Sequence, residues 1–223
     1  MKALDLFCGA GGSSMGIKQA GFDKVVGVDI YPQPEFPFEF IQSDVFKLEL
    51  DLIREFDLIW ASPPCQKYSF STARAKKEYG KTYPDLVGKT RSLLKRVRKP
   101  FVIENVVGSP LRIDLWLCGC MFDLGVFRRR HFEIRGFVVR QPKHRQHTGA
   151  IGDGKYFRVL DGGGCWLKKG EIKGTMRDWQ KAMGIDWIND KAMLAEAIPP
   201  AYSKYIAINF LKPPFAFLKE VFG

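Results

Sequence analysis

The sequence predicts an α/β protein built on a mostly parallel β-sheet. Three observations support this fold class: short apolar runs alternate with helical patterning, several runs end in a glycine turn or a reactive side chain, and 46% of the 223 residues are hydrophobic. At this length one domain with a small insert is expected. In such a sheet, ligands bind at the carboxyl ends of the strands.

The first part of the chain predicts strands separated by turns and one helix. Residues 2–7 (KALDLF) form a short apolar run that ends at a glycine-rich turn. A helix over 13–20 follows, and its opening serines are suited to an N-cap. β-Branched or apolar runs predict three more strands, at 24–30 (KVVGVDI), 40–45 (FIQSDV) and 56–61 (FDLIWA).

The remaining chain continues this alternation and then interrupts it. Leucine and valine spacing predicts a helix over 85–98, and 101–106 (FVIENV) reads as another strand. Residues 135–174 are rich in glycine and basic side chains, which predicts an insert of loops and short strands. Helical patterning returns at 176–183 and 201–211, the second helix following two prolines.

The net charge of 35 − 24 = +11 is concentrated in two stretches. Residues 61–100 carry 11 basic and 2 acidic side chains, and 135–174 carry 9 and 3, whereas 1–60 carry 5 and 10. A polyanionic partner would explain this distribution, because each Lys or Arg near a phosphate releases a condensed counterion. A solvated basic surface is the alternative that charge alone leaves open.

The first residues, the apolar runs and the cysteines predict an intracellular, cytoplasmic protein with no membrane segment. No apolar run approaches the ~18 residues that a membrane span needs. The first residues, MKALD, are too polar for a signal peptide. Five cysteines in an unexported chain predict reduced thiols, and we expect Cys8, Cys118, Cys120 and Cys165 to be buried and inert.

The glycine turn and two strand-end carboxylates suggest a nucleotide site. Residues 7–12 (FCGAGG) allow close approach of a ligand, although Ser14 occupies the third position of a dinucleotide-binding fingerprint. Asp29 is placed to accept hydrogen bonds from ribose hydroxyls, and Asp44 from an exocyclic amine. This combination suits an adenosine-bearing cofactor without a pyrophosphate, the alternative being an ordinary strand–helix turn.

A thiol and an acid follow two other predicted strands. Cys65 lies in a proline-stiffened PPCQ sequence, and the basic stretch 67–81 is expected to favour its thiolate form. Glu104 ends an apolar strand, where burial would raise its pKa and suit it to proton donation. The alternatives are an inert buried cysteine and a helix-capping glutamate.

Four motifs resemble those of the DNA (cytosine-5)-methyltransferases, in the same order. They are 5–12 (DLFCGAGG), 64–66 (PCQ), 104–106 (ENV) and 128–132 (RRRHF), and 196–202 (EAIPPAY) is similar to the last motif of that family. The resemblance implies a Rossmann-like S-adenosylmethionine-dependent methyltransferase fold with a small irregular recognition insert. It also implies that S-adenosylmethionine is the cofactor and double-stranded DNA the partner.

The resemblance further assigns residue roles. Cys65 would add to carbon 6 of a flipped-out cytosine while Glu104 protonates N3, Arg130 contacts the base and Arg128 supports the site. The residues expected around the cofactor are Phe7, Gly9, Gly11, Asp29, Ile30, Asp44, Val45, Pro64 and Leu86.

Domain boundaries follow from the same resemblance. Residues 1–134 would form the catalytic and cofactor-binding core, 135–174 a reduced target-recognition insert, and 175–223 C-terminal helices that complete the core. Glu196 stands where the family has asparagine, and Val126 where it has glutamine. Because the insert is short, as in phage-encoded forms, we expect a short or loosely read target, or an accessory protein.

Other interpretations stay open at this stage. The same chemistry is possible on RNA, and a DNA-binding protein with a silent active site is an alternative from another class. A zinc site is a further alternative, although Cys-x-Cys is tighter than usual zinc spacing and our prediction is that no metal is bound. Its candidate ligands are Cys118, Cys120, His131, His144, His147 and Cys165.

Overall fold

A computed structural model of the chain describes residues 1–69, 77, 80–160 and 169–212. Within these residues a seven-stranded sheet has the order β3-β2-β1-β4-β5-β7-β6. The strands are β1 (Lys2–Leu6), β2 (Lys24–Asp29), β3 (Glu39–Gln42), β4 (Leu58–Ala61), β5 (Phe101–Val106), β6 (Leu115–Leu117) and β7 (Arg130–Arg135). Strands β1 to β5 pair in parallel and β6 and β7 join antiparallel, which confirms the predicted mostly parallel sheet.

Helices cover both faces of this sheet. They are α1 (Gly12–Gln19), α2 (Leu50–Arg54), α3 (Val87–Val97), α4 (Met176–Met183), α5 (Lys191–Glu196) and α6 (Pro200–Leu211). On one face, Leu4 and Leu6 pack with Leu94 of α3; on the other, Trp60 packs with Tyr202 of α6. Among the described helices, none is both long and apolar enough to cross a membrane.

Two local predictions are wrong. The third strand ends at Gln42, because the Asp44 carboxylate accepts the N–H of Phe46 at 2.9 Å and starts a 3₁₀ turn at Val45–Lys47. The serines do not cap α1, whose N-cap is Gly11 in the left-handed region. Ser13 and Ser14 instead donate hydrogen bonds of 2.6 Å to the buried carboxylate of Asp5.

The region predicted as an insert, 135–174, begins at the last residue of β7 and continues in its described part as loops. Within 136–160 and 169–174, the regular pairing is one isolated bridge between Ile151 and Tyr156. The insert still contributes to the core, since Val159 packs in a cluster with Val126 and with Trp179 of α4. This packing joins the insert to the C-terminal helices.

We expect Gly16→Ala to destabilise the protein because α1 and α6 pack in direct backbone contact. A Cβ on Gly16 would lie 2.0 Å from the Pro200 carbonyl oxygen and 2.1 Å from Ser203 Oγ. Such overpacking costs ~1–3 kcal/mol. The matched control is Gly88→Ala in α3, where a Cβ meets nothing within 4 Å and alanine should stabilise by ~0.5–1 kcal/mol. Urea unfolding of both variants measures the contrast, and equal stabilities would contradict it.

Candidate active site

A cavity of about 640 Å³ opens at the carboxyl ends of β1, β2, β4 and β5. Its walls bring together a thiol, a carboxyl group, two arginines and the glycine turn that follows β1. The predicted site residues that line it are Phe7, Gly9, Asp29, Ile30, Pro64, Cys65, Glu104, Arg128 and Arg130. Residues from separate stretches of the chain therefore share one chamber, as the strand-end argument predicts.

The other predicted cofactor residues are not among those that line this cavity. Gly11 caps α1, and the Asp44 carboxylate caps the turn that follows β3. Val45 is buried in the core, and Leu86 precedes α3 as its N-cap. Their assignment to the cofactor stays a prediction.

The loop that carries Cys65 is fixed at both ends by hydrogen bonds. Asn105, buried at the end of β5, donates from Nδ2 to the Pro63 carbonyl at 2.8 Å. The Cys65 carbonyl accepts the backbone N–H groups of Tyr68 and Ser69, each at 2.9 Å. The thiol is thus held on a rigid turn at the sheet edge.

Glu104 and Arg130 form an ion pair beside this thiol. The distance between Arg130 Nε and Glu104 Oε1 is 3.0 Å, and both side chains are largely buried. The antiparallel register of β5 and β7 sets Val106 opposite Arg130, which brings Arg130 diagonally to Glu104 on the same face. Burial raises the pKa of Glu104, although Arg130 and a hydrogen bond from Ser62 oppose the rise.

Arg128 also lines the cavity and is held by carbonyl groups. Its Nη1 donates to the Val159 carbonyl at 3.2 Å, and its Nη2 donates to the Ala195 carbonyl. Its backbone φ is 34°, an unusual value for a residue other than glycine. Burial lowers the pKa of the Arg128 guanidinium to about 9, with Arg130 as the next cause. Tyr202 Oη donates to the Arg128 carbonyl at 3.0 Å and so helps fix this backbone.

The pKa of the Cys65 thiol is set by opposing effects. Burial raises the pKa of Cys65, and Glu104 adds to the rise. The cations Arg130 and Arg128 oppose this rise, and the effect of the basic stretch 67–81 on the thiol stays a prediction. Part of that stretch, 70–76 and 78–79, lies outside the described residues. An additional positive charge near the thiol would therefore favour its ionisation.

The Asp29 carboxylate is held at the other side of the cavity, at the end of β2. Its Oδ2 accepts the backbone N–H of Gly9, and its Oδ1 accepts that of Tyr31, both at 3.1 Å. Trp187 Nε1 donates to the Ala10 carbonyl at 2.9 Å, which ties the C-terminal part of the chain to the glycine turn. The turn is thus supported from both ends of the sequence.

Comparison with known proteins identifies the family of this chain. The C-5 cytosine-specific DNA methylase family matches residues 1–109. Type II methyltransferase M.HgiGI of Herpetosiphon aurantiacus is 36% identical over 84 residues, which are 33% of this chain and 67% of that protein. The chain belongs to the C-5 cytosine-specific DNA methylase family.

Another relative of this methylase family member is a longer protein. Type II methyltransferase M.HgiDI, also of Herpetosiphon aurantiacus, is 29% identical over 164 residues, covering 68% of this chain and 52% of that protein. The chain thus spans about half the length of M.HgiDI. The fold is shared with DNMT2 of Spodoptera frugiperda at a TM-score of 0.61 and 15% identity, over 94% of this chain and 99% of that one.

In this family member, three residues near the site had no role assigned from the sequence alone. Asn105 positions the Cys65 loop, and Tyr202 positions Arg128. Asp5 lies fully buried beneath the glycine turn, and burial raises its pKa to about 7 despite hydrogen bonds from Ser13 and Ser14. A carboxylate inside the apolar run KALDLF is the signal that indicates such a buried network.

Proposed function

We propose that this chain transfers a methyl group from S-adenosylmethionine to carbon 5 of cytosine in double-stranded DNA, through covalent addition of Cys65 to carbon 6 of a flipped-out base. The observation that carries the proposal is the meeting of Cys65, Glu104, Arg128 and Arg130 in one cavity with the glycine turn. Family membership supports the same reaction class.

Cytosine carbon 5 becomes nucleophilic only when the ring loses its aromaticity. In the proposed reaction the Cys65 thiolate forms a bond to carbon 6, and the electron pair moves toward N3. Burial raises the pKa of Glu104, and in its protonated form this carboxyl would donate a proton to N3 as negative charge develops. Arg130, which contacts Glu104, would face the base oxygen and help stabilise that charge.

The cavity fits an adenosine-bearing cofactor on its far side from Cys65. Asp29 presents a carboxylate for ribose hydroxyls, and Phe7 and Ile30 add apolar surface. When bound, S-adenosylmethionine supplies an electrophilic methyl group for carbon 5 and a sulfonium charge. A base from solvent would then take the carbon 5 proton, the bond to Cys65 would break with the sulfur leaving as a thiolate, and N3 would return its proton to Glu104, which restores the aromatic ring.

The cavity chemistry requires the base to leave the duplex, because carbon 6 is not reachable in a stacked pair. The two basic stretches, 61–100 and 135–174, suit phosphate contacts to the flanking DNA. Because the proposed substrate is DNA, the protein would act inside the cell. Because the insert 135–174 is short, the enzyme would recognise a short DNA sequence or use an accessory protein for specificity.

The proposal is tested by incubating the purified chain with methyl-labelled S-adenosylmethionine and either plasmid DNA or structured RNA. Label in DNA at 5-methylcytosine, with none in RNA, is the expected result. Label in RNA alone would show that RNA is the substrate in place of DNA. No label in either nucleic acid would indicate a catalytically silent homologue. Bisulfite sequencing of a plasmid from expressing cells then reports the target sequence.

A further inference from the structure

Outside the active site, two cysteines and two histidines converge at the edge of the sheet. Cys118 follows β6 and Cys120 lies in the next 3₁₀ turn (Gly119–Phe122), while His144 and His147 come from the loop after β7. We propose that these side chains bind one structural Zn²⁺, which fixes the start of the insert to the catalytic core. The proposed site does not depend on the proposed methyl transfer.

The distances between the potential ligand atoms match a zinc site. The two Sγ atoms are 3.4 Å apart, Cys120 Sγ lies 3.2 Å from His144 Nε2, and Cys118 Sγ lies 3.5 Å from His147 Nε2. All four ligand atoms lie within 4.8 Å of one another. Tetrahedral zinc holds two sulfurs about 3.8 Å apart and a sulfur and a nitrogen about 3.5 Å apart. Small shifts are therefore enough to place an ion at the centre.

The backbone explains how so short a Cys-x-Cys spacing directs both thiols to one point. Gly119 packs so closely on the neighbouring chain that a Cβ there would lie 1.8 Å from the Val126 carbonyl oxygen. Its N–H donates to the Phe127 carbonyl at 2.8 Å. The glycine thus allows a tight turn that starts immediately after Cys118, and this turn brings the Cys120 thiol back beside the first.

The histidine rings are oriented by aromatic neighbours. His147 stacks on Phe127 at a centroid distance of 3.7 Å, and His144 lies 5.1 Å from the ring of Trp116. Gln141 ties the loop that carries them to the sheet edge. Its Oε1 accepts the backbone N–H of Trp116, and its Nε2 donates to the Trp116 carbonyl. Both rings are thereby directed toward the thiols before any ion binds.

A metal would add stability to this loop. Residues 137–150 form no helix or strand, and both histidines are exposed while both cysteines are buried. Its other anchors include an exposed ion pair of Arg145 with Asp123, which contributes little. Two thiolates and two imidazoles suit zinc, and four protein ligands leave no open position, as in structural sites.

The proposed site also differs from the zinc alternative drawn from the sequence. His131 lies in β7, opposite Asn105 and Trp116, and is not part of the cluster. Cys165 lies outside the described residues. Phe127, which stacks on His147, directly precedes Arg128 of the active site. A bound ion would thus hold the beginning of the insert next to the arginine motif.

Elemental analysis of the purified chain tests the proposal, and we expect about one Zn²⁺ per chain. The double variants Cys118→Ser/Cys120→Ser and His144→Ala/His147→Ala should contain almost none. His144→Cys should retain zinc because thiolate replaces imidazole, and Cys65→Ser, a matched loss of another cysteine, should retain it fully. Cobalt substitution should give the visible spectrum of a tetrahedral thiolate site in the wild type.

A measurement on the wild type covers the case in which the variants fail to fold. Removal of zinc by a chelator should lower the melting temperature and expose the bonds after Arg140, Lys143 and Arg145 to trypsin, and added Zn²⁺ should reverse both effects. A metal-free chain that takes up no Zn²⁺, or double variants with full zinc content, would overturn the proposal. A Cys118–Cys120 disulfide in the purified chain would overturn it as well.

Discussion

A Cys65→Ser variant is expected to lose methyl transfer to DNA by at least about 10³-fold while it still folds and binds S-adenosylmethionine. A serine hydroxyl ionises far less readily than a thiol, so no nucleophile is available for carbon 6. The hydrogen bonds that fix the loop come from Asn105 and from the Cys65 backbone, and serine preserves them. Initial rates with labelled cofactor, together with calorimetric cofactor binding, measure the two effects separately.

The same cysteine should become covalently attached to DNA that contains 5-fluorocytosine. Fluorine cannot leave as the carbon 5 proton does, so the methylated adduct persists once the methyl group is transferred. Tryptic mapping should place the adduct on peptide 55–67, whose one cysteine is Cys65. The cavity offers an internal control, because Cys8 also lines it and lies on peptide 3–18.

Cys8 is a demanding control because its chemical identity is the same and its surroundings differ. Burial raises the pKa of the Cys8 thiol, and the carboxylates of Asp5 and Asp29 raise it further. Cys65 instead faces Arg130 and Arg128. An adduct on Cys8, or a Cys65→Ser variant with normal turnover, would refute the mechanism.

Much of this site was predictable because reactive residues lie at the carboxyl ends of parallel strands. The carboxyl ends of parallel strands meet at one edge, so Asp29, Cys65 and Glu104 had to approach one another once the sheet was predicted. The cavity confirms that they do. Arg130 was placed by motif resemblance only, because its strand, β7, pairs antiparallel with β5 after a long connection that no local pattern specifies.

Other features depend on contacts that the sequence does not encode locally. Ser13 and Ser14 are good capping residues, but they donate to Asp5 because the buried carboxylate needs partners more than the helix end does. The histidines meet Cys118 and Cys120 across more than 20 intervening residues, which include strand β7. The spacing patterns known for zinc ligands describe pairs that are close in the sequence, so they do not identify a site whose cysteines and histidines are far apart.

Glu104→Gln is expected to lower kcat by about 10²–10⁴-fold, the usual contribution of a positioned proton donor. Glutamine preserves the size of the side chain and can accept a hydrogen bond from Arg130 Nε, which lies 3.0 Å from Glu104 Oε1 in the wild type. It has no ionisable proton to give to N3. Single-turnover methylation of a defined DNA duplex isolates this chemical step from product release.

The pH profile separates a proton donor from a residue that only supports the structure. The proposed reaction needs an ionised Cys65 and a protonated Glu104, so the two groups together must hold one proton. The wild-type rate should therefore fall at low pH, where Cys65 is protonated, and at high pH, where Glu104 is ionised. Burial raises the pKa of both groups. In the Glu104→Gln variant only the thiol of this pair titrates, so the rate should rise with pH through the Cys65 pKa and then stay level.

Glu133→Gln is the matched control for this profile. Glu133 is a buried carboxylate on β7 that pairs with Arg91 at 2.7 Å, and it does not line the cavity. Its loss should lower the free energy of unfolding, since Arg91 loses its charged partner, and leave the two-sided pH profile intact. If Glu104→Gln kept the alkaline decline, the proton lost there would belong to another group. Only the loss of that decline in Glu104→Gln, with its retention in Glu133→Gln, identifies Glu104 as the donor.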